Sequence, residues 1–300
     1  MRPPQGSLPF FWVDVFADQP LTGNPLPVVA DADHLDGQTM RSIAREFNQS
    51  ETTFLMGSTR SEVTCRLRSF TPAGAEVGGA GHNALGAWWW LATSGRLPLD
   101  DGPNRFIQEI GGRALPVDVI LESGNLRAVA MEQEPPRWGD RVGDRTEVAS
   151  ALGLPTDELS EDLPAQVVST GAEHLLVQAR TRAAVDSAVP DEPCLAAVLR
   201  SVGGEGCYLY SLDTVDSDSN AYARFFNPTV GISEDPATGT AAGPLACHLV
   251  DHDVVADGTT VLIEQGHQIG RPSRIEIRVA GQRVTIAGAC VVVAEGTLRT

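Results

Sequence analysis

The sequence predicts an α+β protein of two similar halves, each with short strands around one buried helix. Three observations carry this. Short strand-like runs alternate with only a few helices. Two of those helices, residues 81–93 and 236–250, are apolar almost all round, the mark of a helix enclosed by other elements. The approaches to these helices also echo each other. The first reads Phe70-Thr71-Pro72, then Glu76, Gly81 and Ala84; the second reads Phe226-Asn227-Pro228, then Glu234, Gly239 and Ala242. Glutamate to glycine is five residues in both and glutamate to alanine eight in both, while the proline-to-glutamate loop is two residues longer in the second copy.

In chain order, residues 10–16 read as a strand, Asp18-Gln19-Pro20 as a turn, and residues 26–30 as the return strand. Residues 36–47 are helical, with Met40, Ile43, Ala44 and Phe47 on one face. Residues 51–56 and 63–70 read as strands. The first apolar helix starts with small residues, continues through Trp88-Trp89-Trp90-Leu91 and ends near Gly95. Short strands follow to about Met131. The polar, glycine-containing stretch 137–145 reads as a loop, and more strands with two short helices lead to Tyr210. Asp235 before Pro236 reads as an N-cap with proline at the first helical position. Strands at 260–264, 274–279, 283–287 and 290–294 close the chain.

Composition excludes several classes of chemistry. The chain has 300 residues and a formal net charge of −17, which disfavours nucleic acid as a partner. No apolar run reaches membrane-spanning length. Met1-Arg2-Pro3-Pro4-Gln5-Gly6-Ser7 lacks a signal-peptide core, so a cytoplasmic protein is expected. The five cysteines, Cys65, Cys194, Cys207, Cys247 and Cys290, show no C-x-x-C spacing and read as reduced thiols. All basic residues other than histidine are arginine. Without lysine there is no protein Schiff base, no pyridoxal-phosphate enzyme and no standard P-loop.

Gly79-Ala80-Gly81-His82-Asn83-Ala84 fits the dinucleotide fingerprint, but Pro72, Gly74 and Gly78 break the strand that should feed it. The echo at Gly239 has no G-x-G. His248 and His252 stand four apart without the zincin glutamate and read as a solvated helix end, so no metal site is expected. No G-x-S-x-G occurs. No cysteine stands beside Gly81 or Gly239, which argues against a two-thiol racemase. The polar residues left at the helix starts are His82 in the first half and Glu234, Asp235 and Thr240 in the second. Helix N-termini offer N–H groups and a positive dipole end to a carboxylate or enolate oxygen. Glu51 leads the strand in "NQSETTFL"; it is either a surface glutamate or a carboxylate placed to carry protons.

Five ordered stretches resemble the phenazine-biosynthesis PhzF-like proteins of the diaminopimelate-epimerase fold superfamily: "VDVFADQPLTGNPLPVV", "REFNQSETTFL", "RSFTPAGAEVGGAGHNALGA", "GISEDPATGTAAGPL" and "EQGHQIGRPSRIEIRV". The middle, about residues 95–222, contributes little. The resemblance implies two pseudo-symmetric domains, each a β-barrel-like sheet around a central helix. They span residues 1–125, completed by 286–300, and 126–285. It implies a cleft between them, a homodimer, and proton transfer without a cofactor on a small carboxylate substrate. It assigns the proton carrier to Glu51 and matches His82 and Asp235 to pocket-lining residues, which are expected to steer protonation and hold polar groups. Gly81, Gly239 and Thr240 are expected to bind anionic oxygen. Asn83 replaces the alanine or proline of many members, the loop before Glu76 is slightly long and the triple tryptophan is unusual. These departures make Asn83 a candidate substrate contact and predict an altered pocket.

The expected function is isomerisation of a small unsaturated carboxylate-bearing metabolite. A homologue that binds a metabolite or partner without catalysis would bind ligand with no deuterium uptake in D2O. A nicotinamide oxidoreductase would show NAD(P) binding by calorimetry.

Overall fold

The computed structural model describes residues 7–299, so the N-terminal stretch read for a leader lies outside the described residues except for Ser7. The chain divides into two compact units, Met1–Met131 with Ala287–Thr300, and Glu132–Ile286.

In the first unit β1 (Ser7–Val15) and β2 (Asn24–Val29) form an antiparallel pair. Helix α1 (Gly37–Phe47) buries Met40, Ile43 and Ala44. The Asp36 side chain caps it by accepting from the Thr39 amide, and Asn48 ends it in the left-handed conformation. Strand β3 (Thr52–Met56) lies parallel to β2. It is followed by β4 (Cys65–Phe70), the two-residue β5 (Glu76–Val77) and the central helix α2 (His82–Thr93). Strands β6 (Gly102–Ile110), β7 (Arg113–Glu122) and β8 (Asn125–Gln133) then carry the chain onward.

The second unit holds β9 (Arg137–Arg141), α3 (Arg145–Ala151), β10 (Gln166–Ser169), β11 (Glu173–Gln178), α4 (Arg182–Ser187) and α5 (Glu192–Ser201). It continues through β12 (Gly206–Ser211), β13 (Ala221–Asn227), β14 (Ile232–Asp235) and the second central helix, α6 (Gly239–Asp251). Strands β15 (Thr260–Gln265), β16 (Ser273–Ala280) and β17 (Arg283–Gly288) follow. Strand β18 (Cys290–Arg299) returns to the first unit and runs antiparallel along β1.

The echo read in the sequence is a repeat of strand pairing. In the first unit β1–β2 is antiparallel, β2–β3 parallel, β3–β4 and β4–β5 antiparallel, β4–β6 parallel and β6–β7 antiparallel. The second unit repeats the series as β10–β11, β11–β12, β12–β13, β13–β14, β13–β15 and β15–β16, with the same directions. The two-residue difference in the loop is absorbed by a short 3-10 turn, Pro228–Val230.

Small residues let α2 lie close on its strands. A Cβ on Gly86 would stand 2.7 Å from Leu26 Cδ2 and 2.8 Å from Val15 Cγ2. Trp88 is fully buried, and its indole N–H donates to Gln108 Oε1 at 2.8 Å, which removes the cost of burying that donor.

Three sequence expectations need correction. Residues 137–141 form an edge strand rather than a loop; every residue of β9 is exposed, so it shows no apolar alternation. Three α-helices, not two, lie between β9 and β12. Helix α6 begins at Gly239 with Thr238 as N-cap. Asp235 ends β14 instead, because its backbone is held beside Phe225 of β13 and its carbonyl accepts from Gln265 Nε2 at 2.7 Å.

No helix among the described residues is long and apolar enough to cross a membrane.

Candidate active site

The first half-site is built where β3 and α2 begin. Ser50 Oγ lies 3.4 Å from His82 Nε2, which brings the start of "SETTFL" to the start of α2. Glu51, next in the chain, is partly buried and immediately precedes β3. Burial lowers the His82 pKa to about 4, so its imidazole is neutral at physiological pH.

The loop before α2 is held by Asn83. Its Oδ1 accepts from the amides of Gly81 at 2.7 Å and Ala84 at 2.9 Å. Its Nδ2 donates to Ser69 Oγ at 3.1 Å and to Gly79 O at 3.0 Å. The side chain is 1 % exposed, and two accepted plus two donated bonds use the whole capacity of an amide. The same bonds commit the Gly81 N–H, while the Gly81 carbonyl accepts from the amides of Ala84 and Leu85. The Asn83 side chain and the Gly81 amide are thus built into the frame of this loop.

The second half-site repeats this device with a different residue. Gln265 Oε1 accepts from Tyr208 OH at 2.9 Å and from the Thr238 amide at 3.1 Å. Its Nε2 donates to Asp235 O at 2.7 Å and Thr238 Oγ1 at 3.0 Å. The Thr238 hydroxyl donates to Asp235 Oδ2, and Asp235 is 8 % exposed. Burial, then the nearby Asp235 charge, pushes the Tyr208 pKa well above its ordinary value and keeps it a donor. Gln133 Nε2 donates to Gly239 O at 2.8 Å, and Gln133 Oε1 accepts from Thr170 Oγ1 at 2.8 Å. Thr240, on the first turn of α6, is exposed and lies 3.2 Å from His174 Nε2.

A matching ion pair braces both half-sites. Arg68 forks onto Glu76 with both bonds at 2.7 Å, and its guanidinium lies 5.0 Å from the centre of the Phe70 ring. Arg224 forks onto Glu234 at 2.9 and 2.8 Å, 4.9 Å from the Phe226 ring. Glu234, read from the sequence as one of the polar residues at the helix starts, is therefore paired in a brace, as Glu76 is in the first unit. Sequence reasoning missed the arginines, although each stands two residues before the repeated phenylalanine. It also missed Gln265 and His174, whose partners lie 27 and 66 residues away in the chain.

Two further expectations change. The triple tryptophan belongs to the far half of α2, about 10 Å along the axis from His82. Trp89 and Trp90 line a surface groove of about 630 Å³ with Phe11, Arg96, Cys290 and Val292. His248 is not part of a solvated helix end: it is 0 % exposed, its ring centre lies 4.4 Å from that of His252, and burial lowers its pKa to about 4. No group of three or more potential metal ligands occurs among the described residues.

Paired polar helix starts, each set in the same strand frame, define a duplicated α+β enzyme fold, and comparison with known proteins supplies the class. The family model for phenazine biosynthesis-like proteins matches residues 13–296. The trans-2,3-dihydro-3-hydroxyanthranilate isomerase of Pseudomonas aeruginosa is 34% identical over 293 residues, covering 95% of this chain and 96% of its own. An uncharacterised isomerase of Clostridium acetobutylicum is 32% identical, covering 96% of this chain and 97% of its own. The crystal structure of a PhzF-family phenazine biosynthesis protein from Bacillus anthracis matches with a TM-score of 0.89 at 27% identity, covering 97% of this chain and 99% of that one. The protein is an isomerase. It belongs to the phenazine biosynthesis-like family.

Proposed function

We propose that this isomerase shifts a proton within a small, unsaturated, carboxylate-bearing metabolite, with Glu51 as its single general acid/base. The observation that supports this best is the Ser50–His82 contact, which joins the strand start carrying Glu51 to the start of α2. In the proposed step the ionised Glu51 takes a proton from an acidified carbon. The C–H electron pair moves through the conjugated system, and the same carboxyl returns the proton to a second carbon. The formula is unchanged and no cofactor or metal takes part. Neutral His82 orients a polar group of the substrate without adding charge. Asp235 and the exposed Thr240 hydroxyl hold its polar groups, with Gly239 at the α6 start, where the dipole favours anionic oxygen. A cyclic diene carboxylate such as trans-2,3-dihydro-3-hydroxyanthranilate, named for the Pseudomonas relative, has the chemistry required.

Glu51→Gln tests the reading, since it keeps shape and removes the base. Turnover of trans-2,3-dihydro-3-hydroxyanthranilate should fall by at least about 10³-fold, with substrate binding and thermal stability within error of the parent protein. Near-normal turnover by the variant would refute the role of Glu51. No turnover by the parent protein would reject this substrate.

A further inference from the structure

The buried face of the second unit carries a histidine that the proposed step does not use. His174 opens the core of β11, where it pairs with Gly206 of β12, and it is 2 % exposed. Its ring stands edge-on to Phe225, with centres 4.9 Å apart at 83°. Gly206 makes room for both rings: a Cβ there would lie 2.4 Å from Phe225 Cζ and 3.2 Å from His174 Nδ1. The two ring nitrogens of His174 have different surroundings. Nε2 is 3.2 Å from Thr240 Oγ1, whereas Nδ1 is buried with no hydrogen-bond partner.

That asymmetry selects a tautomer. A buried N–H without an acceptor is rarer in folded proteins than an under-used acceptor. The proton therefore belongs on Nε2, where Thr240 Oγ1 can accept it. A threonine hydroxyl that accepts from the interior turns its own hydrogen elsewhere, and Thr240 is exposed on its other side.

We propose that His174 is a positioning residue: its Nε2–H donates to Thr240 Oγ1 and so directs the Thr240 hydroxyl hydrogen at an anionic oxygen of the substrate. This rests on the substrate-holding role given to Thr240 above. A cationic imidazole is not needed. Burial lowers the His174 pKa to about 3, so the ring remains a neutral single donor through the range in which the enzyme would work. The arrangement gives α6 an oriented hydroxyl donor whose direction is set by a side chain 66 residues away in sequence.

The test has two arms on the full chain. In the first, 15N imidazole spectra of histidine-labelled protein are assigned by the signals lost in His174→Gln. The expected result is the Nε2–H tautomer with no titration between pH 8 and 5. The Nδ1–H tautomer, or titration near the ordinary histidine value, overturns the proposal. This arm needs no substrate.

The second arm measures kinetics with trans-2,3-dihydro-3-hydroxyanthranilate. His174→Phe, which keeps a flat ring and removes the donor, should raise KM about tenfold with a much smaller change in kcat. His174→Gln, whose Nε2 can take the donor's place, should recover most of that loss. In a Thr240→Val background His174→Phe should add nothing. Equal losses in the Phe and Gln variants, or an undiminished effect of Phe in the Thr240→Val background, overturn the proposal. An unchanged KM for Thr240→Val alone, with the Nε2–H tautomer intact, instead rejects the role of Thr240 in the proposed function.

Discussion

Replacing Asn83 by alanine should destabilise the first unit more than it alters specificity. The substitution deletes four hydrogen bonds, but the groups left behind differ. The Ala84 amide keeps the Gly81 carbonyl, and Ser69 Oγ keeps its partner Thr53 Oγ1 at 2.9 Å. The Gly81 amide and the Gly79 carbonyl lose the Asn83 contact. Two such groups at about 1–3 kcal/mol each, partly relieved by water because Gly79 is exposed and Gly81 is only half-buried, give a loss of about 2–4 kcal/mol. Tryptophan fluorescence is the suitable probe, because Trp12, Trp88, Trp89 and Trp90 lie in the first unit and only Trp138 lies in the second. With a urea m-value of about 2 kcal/mol/M, the midpoint should fall by about 1–2 M. Turnover should fall with it, since the loop that seats His82 loosens. An unchanged midpoint combined with a changed substrate preference would refute this reasoning and favour Asn83 as a substrate contact.

Acid should unfold the protein through its buried histidines. His82, His174 and His248 have pKa values lowered to about 4, 3 and 4 by burial, against 6.5 when exposed. Their folded-state values are depressed, so stability is full above pH 6.5 and falls as the unfolded chain binds protons that the folded chain refuses. The slope between about pH 5.5 and 4.5 should approach 4 kcal/mol per pH unit, with uptake of about three protons on unfolding at pH 5; equal urea midpoints at pH 7 and pH 5 would rule this out. The two Arg–Glu braces should respond unequally, because Arg224 and Glu234 are 8% and 12% exposed whereas Arg68 and Glu76 are 20% and 39% exposed. Glu234→Ala should cost about 3–5 kcal/mol and Glu76→Ala about 1 kcal/mol or less, measured by urea unfolding. Of the five thiols only Cys194 is exposed; burial raises the pKa of Cys65, Cys207 and Cys247 to about 12 and that of Cys290 further still. A thiol reagent should therefore titrate one cysteine in the native chain and five after denaturation.

The elements legible in the sequence are those whose signal is local. Helix α1 shows its apolar face and its Asp36 cap within twelve residues, 36–47. The two central helices show themselves by lacking a polar face. The repeat is legible because both copies keep the same glutamate-to-glycine spacing. The start of α6 was misread because Asp-Pro is a good helix opening, whereas strand pairing with β13 and the Gln265 contact hold Asp235 extended. The amides that shape the glycine turns illustrate the same limit. Asn83 lies inside its motif and was noticed, but its loop-holding bonds were not legible, since its partners Ser69 and Gly79 become visible only when the strand folds back. Gln265 sits 27 residues from Thr238, and although its stretch carried part of the resemblance, no signal in it announces that contact. His174 left a faint one: a lone histidine heading the apolar run Leu175-Leu176-Val177 must be accommodated somewhere in the core.

The repeat also bears on why one base would suffice. The Arg–Glu brace, its phenylalanine and the amide-filled turn recur in both units, so the frame has been duplicated. The chemistry has not. Thr52 pairs with Phe70, and Cys207 pairs with Phe226, so the residue before each occupies an equivalent place: Glu51 in the first unit and Gly206 in the second. A glutamate at the second position would collide with Phe225 and His174, whose rings fill the space that Gly206 leaves open. The second unit therefore has the buried His174 ring, 3.2 Å from the Thr240 hydroxyl, beside the place where the first has a carboxylate. A two-base mechanism needs an acceptor at each helix start. Under the proposed function Glu51 is the acceptor of the first unit, and the equivalent place in the second, Gly206, offers none, as expected if the same carboxyl group removes and returns the proton.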